Sequence, residues 1–123
     1  MPKVKIVFAE DDALLSRAVN VQLLDEGFKV LSATDGQSAL KLIKKELPDL
    51  VLLDIIMPKL QGLDVLKALR EDPKTKKTPV IMLTNLDNPE DRAKARKYGA
   101  LDYCVKASVD LEALTAKIKK IVS

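Results

Sequence analysis

Acidic side chains stand at the ends of two apolar runs in this 123-residue chain. Glu10-Asp11-Asp12 follows Val4-Lys5-Ile6-Val7-Phe8-Ala9, and Asp54 follows Leu50-Val51-Leu52-Leu53. Two further runs end in a hydroxyl and a cation: Val80-Ile81-Met82-Leu83 before Thr84, and Tyr103-Cys104-Val105 before Lys106. Carboxylates gathered with a hydroxyl and an ammonium suit a divalent cation and an anion sharing one site. Mg2+, with Mn2+ as a substitute, takes one or two such carboxylates and keeps room for waters and phosphate oxygens. A carboxylate at the end of a central strand is partly desolvated, and neighbouring acids raise its cost unless a cation sits among them.

These residues meet only if the runs are strands of one sheet. Short apolar runs separated by helical stretches read as buried parallel strands. In an open parallel sheet the binding crevice lies beyond the carboxyl ends of the strands. Between the runs, Leu15, Val19 and Leu23 recur at helical spacing after Asp11 or Asp12 and stop near Gly27. Lys29 to Thr34 reads as a second strand. Asp35-Gly36 turns into a helix through Ala39, Leu42, Ile43 and Leu47, stopped by Pro48. Gly62 opens a helix through Leu63, Leu66 and Leu69. Asn88-Pro89-Glu90-Asp91 is a helix start, with a capping side chain, proline in the first turn and acids near the positive end. Asp110 caps a last helix through Leu111, Leu114, Ile118 and Ile121. The first, third and fourth strands are apolar throughout and belong in the centre. The right-handed crossover rule then gives a doubly wound, five-stranded parallel α/β sheet of order 2-1-3-4-5 with helices on both faces, flavodoxin-like, in one domain over 1–123.

Composition narrows the chemistry. There is no histidine, which excludes a His-based triad, His-ligated zinc and the HExxH site. The single cysteine, Cys104, is expected to be a buried strand hydrophobe. No apolar stretch reaches the ~20 residues of a membrane span, and no signal-peptide core opens the chain, so a cytoplasmic protein is expected. A net charge of +3, dispersed over several helices, does not argue for direct nucleic-acid binding.

Taken singly, each candidate has an ordinary role: Asp11 or Asp12 as a helix cap, Asp54 in a turn, Thr84 as a strand-former, Lys106 as a solvated cation. Taken together at adjacent strand ends, they fit phosphoryl transfer to the Asp54 carboxylate. In that scheme a metal neutralises charge while Lys106 and Thr84 hold the other oxygens. An ionised carboxylate is already a nucleophile, so no general base is needed.

The ordered set Glu10-Asp11-Asp12, Asp54-Ile55-Ile56-Met57-Pro58 with Gly62, Thr78-Pro79-Val80-Ile81-Met82-Leu83-Thr84, and Tyr98-Gly99-Ala100-Leu101-Asp102-Tyr103 with Lys106 resembles the response-regulator receiver domains of two-component signalling. That group includes the chemotaxis regulator. The resemblance implies Asp54 as phospho-acceptor and Mg2+ held by Glu10, Asp11, Asp54 and the Ile56 backbone carbonyl. Thr84 and Lys106 would contact the phosphoryl group. Thr84 and Tyr103 would form the switch, the ring turning inward as Thr84 moves toward the phosphate. A sensor histidine kinase or phosphotransfer protein would be the donor. The output would be a downstream protein of unknown identity, met by the face of the fourth helix, fifth strand and fifth helix, with a phosphorylation-dependent homodimer as an open option. Such a chain catalyses its own phosphorylation and dephosphorylation without being a conventional enzyme.

Several positions depart from the family pattern. Ala107 follows Lys106 where the family carries proline, often after a cis bond, which leaves a trans bond and a strained cis bond both open. Asn85 is bulkier than the small residue usual after the threonine, and would slow a phosphodonor or restrict the Thr84 loop. Ile56 and Leu86 flank the path of a water attacking an acyl phosphate and cannot orient it. Slow self-dephosphorylation, over many minutes or longer, is therefore expected. Lys119-Lys120-Ile121-Val122-Ser123 carries no linker signature, which favours a stand-alone regulator over an excised domain.

Competing functions lack their residues. A haloacid-dehalogenase-like phosphatase needs an acid two residues after its nucleophile, where Ile56 stands. A flavodoxin-like cofactor binder needs a hydroxyl- and glycine-rich loop where this chain has acids, and no GxGxxG fingerprint is present. The remaining alternative is a receiver-like interaction module that is never phosphorylated.

Overall fold

The computed structural model describes residues 3–123; Met1 and Pro2, within the predicted span, lie outside the described residues. Strands β1 (Lys5–Ala9), β2 (Lys29–Ala33), β3 (Leu50–Leu53), β4 (Val80–Thr84) and β5 (Asp102–Val105) alternate with helices α1 (Ala13–Asp25), α2 (Gly36–Glu46), α3 (Gly62–Glu71), α4 (Pro89–Lys97) and α5 (Leu111–Val122). The sheet is parallel throughout, in the expected order β2-β1-β3-β4-β5.

Successive strand residues point to opposite faces, so each apolar run feeds two cores. Val7, Val51, Leu53, Val80 and Met82 face α2, α3 and α4 through Ile43, Leu66, Leu69 and Ala95. Ile6, Phe8, Leu50, Leu52, Ile81 and Leu83 face α1 and α5 through Val19, Leu23, Leu114 and Ile118. β1, β3 and β4 are almost wholly buried, whereas β5 is half-buried along its length. Cys104 departs from its expected full burial for that reason: an edge strand leaves it partly exposed while it still packs against the core.

The caps follow the sequence. Asp12, Asp35, Asn88 and Asp110 each accept a backbone N–H in the first turn of the helix that follows. Gly27 and Gly99 end α1 and α4 with φ of 90° and 76°. Leu47, expected on the face of α2, instead lies just past it in the left-handed region at φ 46°. The residue before a proline is disfavoured in the right-handed helical region, and Pro48 follows. Gly36 and Gly62 serve close approach: a Cβ on Gly36 would lie 1.7 Å from the Leu60 carbonyl oxygen, and one on Gly62 1.8 Å from that of Asp54. The start of α3 is thereby packed directly against the end of β3. Among the described residues, no helix is long and apolar enough to cross a membrane.

Candidate functional site

The register sets the site. Ala9 pairs with Leu53, and Leu53 with Met82, so the residues that follow β1, β3 and β4 emerge side by side at one sheet edge. The Asp54 N–H donates to the Ala9 carbonyl at 3.1 Å, extending the β1–β3 ladder to Asp54 itself. Asp54 is 4% exposed and Glu10 2%, while Asp11 is exposed. One carboxylate oxygen from each of Glu10, Asp11 and Asp54 lies within 4.8 Å of the others.

Lys106 closes the cluster from β5. Its Nζ donates to Asp54 Oδ2 at 2.8 Å and lies 2.5 Å from Glu10 Oε1. The Ile55 N–H donates to Asp54 Oδ1 at 2.7 Å, and the Asp12 N–H to Glu10 Oε2 at 3.0 Å. The Lys106–Glu10 contact is a buried ion pair. Apart from that ion pair, the fully buried Glu10 Oε1 has no further hydrogen-bond partner among the described residues. Burial raises the Glu10 pKa, Asp54 adds to the rise, and Lys106 with the Asp12 N–H works against it. Burial works against the Lys106 charge, yet bonding to Asp54 and Glu10 outweighs it and its pKa rises. Three carboxylates within reach of one another, two of them buried, are a donor set that fits a small divalent cation.

Above these acids lies a cavity of about 340 Å³ lined by Asp11, Asp12, Asp54, Ile56, Thr84, Asn85, Leu86 and Lys106. The Ile56 side chain is 53% exposed at its rim. Thr84 is buried, and its Oγ1 accepts from the Leu86 N–H at 3.2 Å. Asp12 is spoken for as the α1 cap, accepting from Leu14 and Leu15. The Lys106–Ala107 bond is trans, and Lys106–Ser108 forms a single 3-10 turn before α5.

Tyr103 lies farther along the same edge. Its hydroxyl donates to the Leu86 carbonyl, its ring packs against the core beneath α4, and the Arg92 guanidinium sits 4.6 Å above the ring centroid. Glu10, Asp11, Asp54, Ile56, Thr84, Leu86 and Lys106 thus lie together at this end of the sheet, and Tyr103, within β5, reaches toward it through its hydroxyl. The Leu86 carbonyl and Arg92 were not foreseen as partners of Tyr103, because no sequence spacing signals a contact across a loop.

Family comparison matches residues 6–119 to the response regulator receiver domain. The chain belongs to that family. The receiver domain is 44% identical over 118 residues to the transcriptional regulatory protein CpxR of Escherichia coli K12, covering 96% of this chain and 49% of CpxR. It is 41% identical over 122 residues to the probable transcriptional regulator ycf27 of Porphyridium aerugineum, covering 99% of this chain and 49% of that protein. It therefore spans about half the length of these relatives. Among solved structures, the receiver domain superposes on the BeF3-activated N-terminal receiver domain of Klebsiella pneumoniae RstA with a TM-score of 0.87. Identity there is 31%, covering 96% of this chain and 97% of that one. On Vibrio cholerae chemotaxis protein CheY4 the TM-score is 0.88 at 29% identity, covering 98% and 99%.

Proposed function

We propose that this receiver domain, working as one unit over 1–123 in the cytoplasm, accepts a phosphoryl group onto Asp54 from the phosphohistidine of a sensor kinase or phosphotransfer protein. The observation that carries the reading is the buried Asp54 carboxylate, hydrogen-bonded to Lys106 within a cluster of acids at the mouth of a cavity. An Asp54 oxygen attacks phosphorus while the P–N bond of the donor breaks, its electron pair returning to the imidazole nitrogen. Lys106, already beside that carboxylate, stabilises the anionic oxygens as they develop, and the Thr84 hydroxyl donates to another.

Glu10, Asp11, Asp54 and the Ile56 backbone carbonyl would hold Mg2+, or Mn2+ in its place. Bound there, the ion neutralises charge on both the acids and the transferring group. The three-carboxylate cluster supports this assignment.

Output follows from Thr84. Its Oγ1 accepts from the Leu86 N–H, and the Leu86 carbonyl accepts from Tyr103, so a move of Thr84 toward a phosphoryl group disturbs the segment that holds the ring. The face of α4, β5 and α5 then changes for a downstream protein or for a second copy of the chain. Self-dephosphorylation is slow, since Ile56 and Leu86 line the cavity with apolar side chains that cannot orient a water.

The test is incubation with acetyl phosphate or beryllofluoride and Mg2+, with Asp54→Asn as control. An Asp54-dependent mass increment and spectral change are expected. Their absence would favour an interaction module that keeps the fold without phosphorylation.

A further inference from the structure

Tyr103 is turned in while its neighbours at the site are still engaged with protein partners. Lys106 bonds Asp54, and the Thr84 hydroxyl accepts from the Leu86 N–H, yet the Tyr103 hydroxyl already reaches the Leu86 carbonyl and its ring is against the core. The family resemblance implies a ring that turns inward as Thr84 moves toward a phosphoryl group. Something else holds it.

The contact that covers the ring from outside is Arg92. Its guanidinium carbon lies 4.6 Å from the ring centroid, and its Nε donates to Asp87 Oδ1 at 2.7 Å. Asp87 directly follows Leu86, whose carbonyl takes the Tyr103 hydroxyl. The ring is therefore held at its edge by Leu86 and on its face by Arg92, with Asp87 bracing the arginine from the same loop. A guanidinium suits this place because one plane can stack on an aromatic face while its edge donates to a carboxylate. Asn88 caps α4 and donates to Asp91 at 2.7 Å, which anchors the first turn that carries Arg92.

We propose that Arg92, braced by Asp87, is a clamp that keeps Tyr103 turned in before phosphorylation, pre-setting this face of the domain toward its signalling arrangement. The inference rests on reading Tyr103 as the switch residue. It adds a positioning residue on α4 that sets how far the switch leans at rest. A state that is already populated costs a ligand less to select, so the clamp should also strengthen binding of a phosphoryl analogue.

The chain has two tyrosines and no tryptophan, so labelling with 3-fluorotyrosine gives two 19F resonances, which Tyr103→Phe assigns. Without any phosphoryl analogue, the wild-type Tyr103 resonance is expected to show the small solvent-isotope shift of a shielded ring. Arg92→Gln moves it toward the exposed value, Asp87→Asn moves it less, and Arg92→Lys lies between wild type and Arg92→Gln. An unchanged Tyr98 resonance reports that each variant is folded. Apparent affinity for beryllofluoride with Mg2+ weakens about threefold to tenfold in Arg92→Gln. An exposed Tyr103 in the wild type, or identical resonances in wild type and both Arg92 variants, overturns the clamp. If no protein responds to beryllofluoride but the Arg92-dependent change persists, phosphorylation of Asp54 fails as a reading and the clamp stands.

Discussion

The Lys106 ammonium lies 2.8 Å from Asp54 Oδ2 and 2.5 Å from Glu10 Oε1, so one cation serves two buried carboxylates from different strand ends. Removing one partner of a buried ionic group leaves uncompensated charge, which costs more than the group itself contributed. Lys106→Met should therefore lower the unfolding free energy by about 3 kcal/mol. Millimolar Mg2+ should recover part of that loss, because a cation can replace the missing charge. Denaturant melts with and without Mg2+ check both statements. A variant as stable as wild type in the absence of metal would show that the acids are already relieved by other means.

Gly62 and Gly27 separate two reasons for glycine. Gly27 has φ of 90° and open space around its missing Cβ, so Gly27→Ala should cost about 1 kcal/mol from backbone strain alone. At Gly62 the new Cβ would meet the Asp54 carbonyl oxygen at 1.8 Å, and α3 must move off β3. Gly62→Ala should destabilise by about 3 kcal/mol or more. It should also weaken the response to beryllofluoride, since Asp54 would move with its own carbonyl. Thermal melts of the two variants side by side give the comparison.

Arg70 has no carboxylate partner among the described residues and instead donates to carbonyls of Thr75, Lys76, Thr78, Tyr98 and Gly99. It thereby ties the loop after α3 to the end of α4, and burial lowers its pKa. Arg70→Met should cost about 2 kcal/mol, because carbonyls that lose a charged donor are left unpaired. Amide exchange should quicken in residues 74–78 and 98–100 while the central strands stay protected. Uniform acceleration across the sheet would refute a local tie.

If Asp54 is phosphorylated as proposed, the lifetime of the phosphoryl group should depend on the rim of the cavity. Ile56→Asn combined with Leu86→Gln provides side chains able to orient a water. The double variant should shorten the half-life of the phosphorylated protein by about tenfold. Decay of the mass increment after the donor is removed measures it, and an unchanged rate would mean that water reaches phosphorus by another path.

Asp102 and Lys117 form an ion pair on the edge strand. Burial raises the Asp102 pKa, but the Lys117 bond, the Tyr103 N–H and the Lys117 charge outweigh it, so the pKa is lowered from its ordinary value. A carboxyl depressed by folding stabilises the protein at pH above its unfolded value and loses that contribution as pH falls through the folded one. Asp102→Asn should therefore be less stable than wild type at neutral pH. The pair is partly exposed, which limits the difference to about 0.5–1 kcal/mol. The two should begin to approach each other as pH falls below the unfolded value of 3.8 and converge only below the lower folded one, and denaturant melts across that range test the sign.

The sheet was readable because its information is local: each apolar run announces a strand, and full apolarity of β1, β3 and β4 places them inside. Helix starts at Asp11 or Asp12, Asn88 and Asp110 were readable for the same reason, since a capping side chain and the backbone N–H that it accepts from lie within three residues. The chemistry-bearing residues followed from being next in sequence to strand ends. What stayed hidden depends on contacts between segments distant in sequence. Nothing near Arg70 in sequence reveals that its guanidinium meets Tyr98 and Gly99, and nothing beside Arg92 reveals a ring eleven residues later. Leu47 is a smaller case, where helical spacing of an apolar residue was overruled by the proline behind it.

A chain made from its amino end meets its own acids before their counter-charge. β1 and β3 can pair once Leu53 has been made, which sets Glu10 and Asp54 side by side. Lys106 is added only after the whole of α4 has followed. An unfinished chain in which β1 and β3 had paired would carry adjacent carboxylates with no lysine to quiet them, and a divalent cation could fill that interval. The residues proposed to receive a signal in the finished protein would then also make the order of its assembly sensitive to metal.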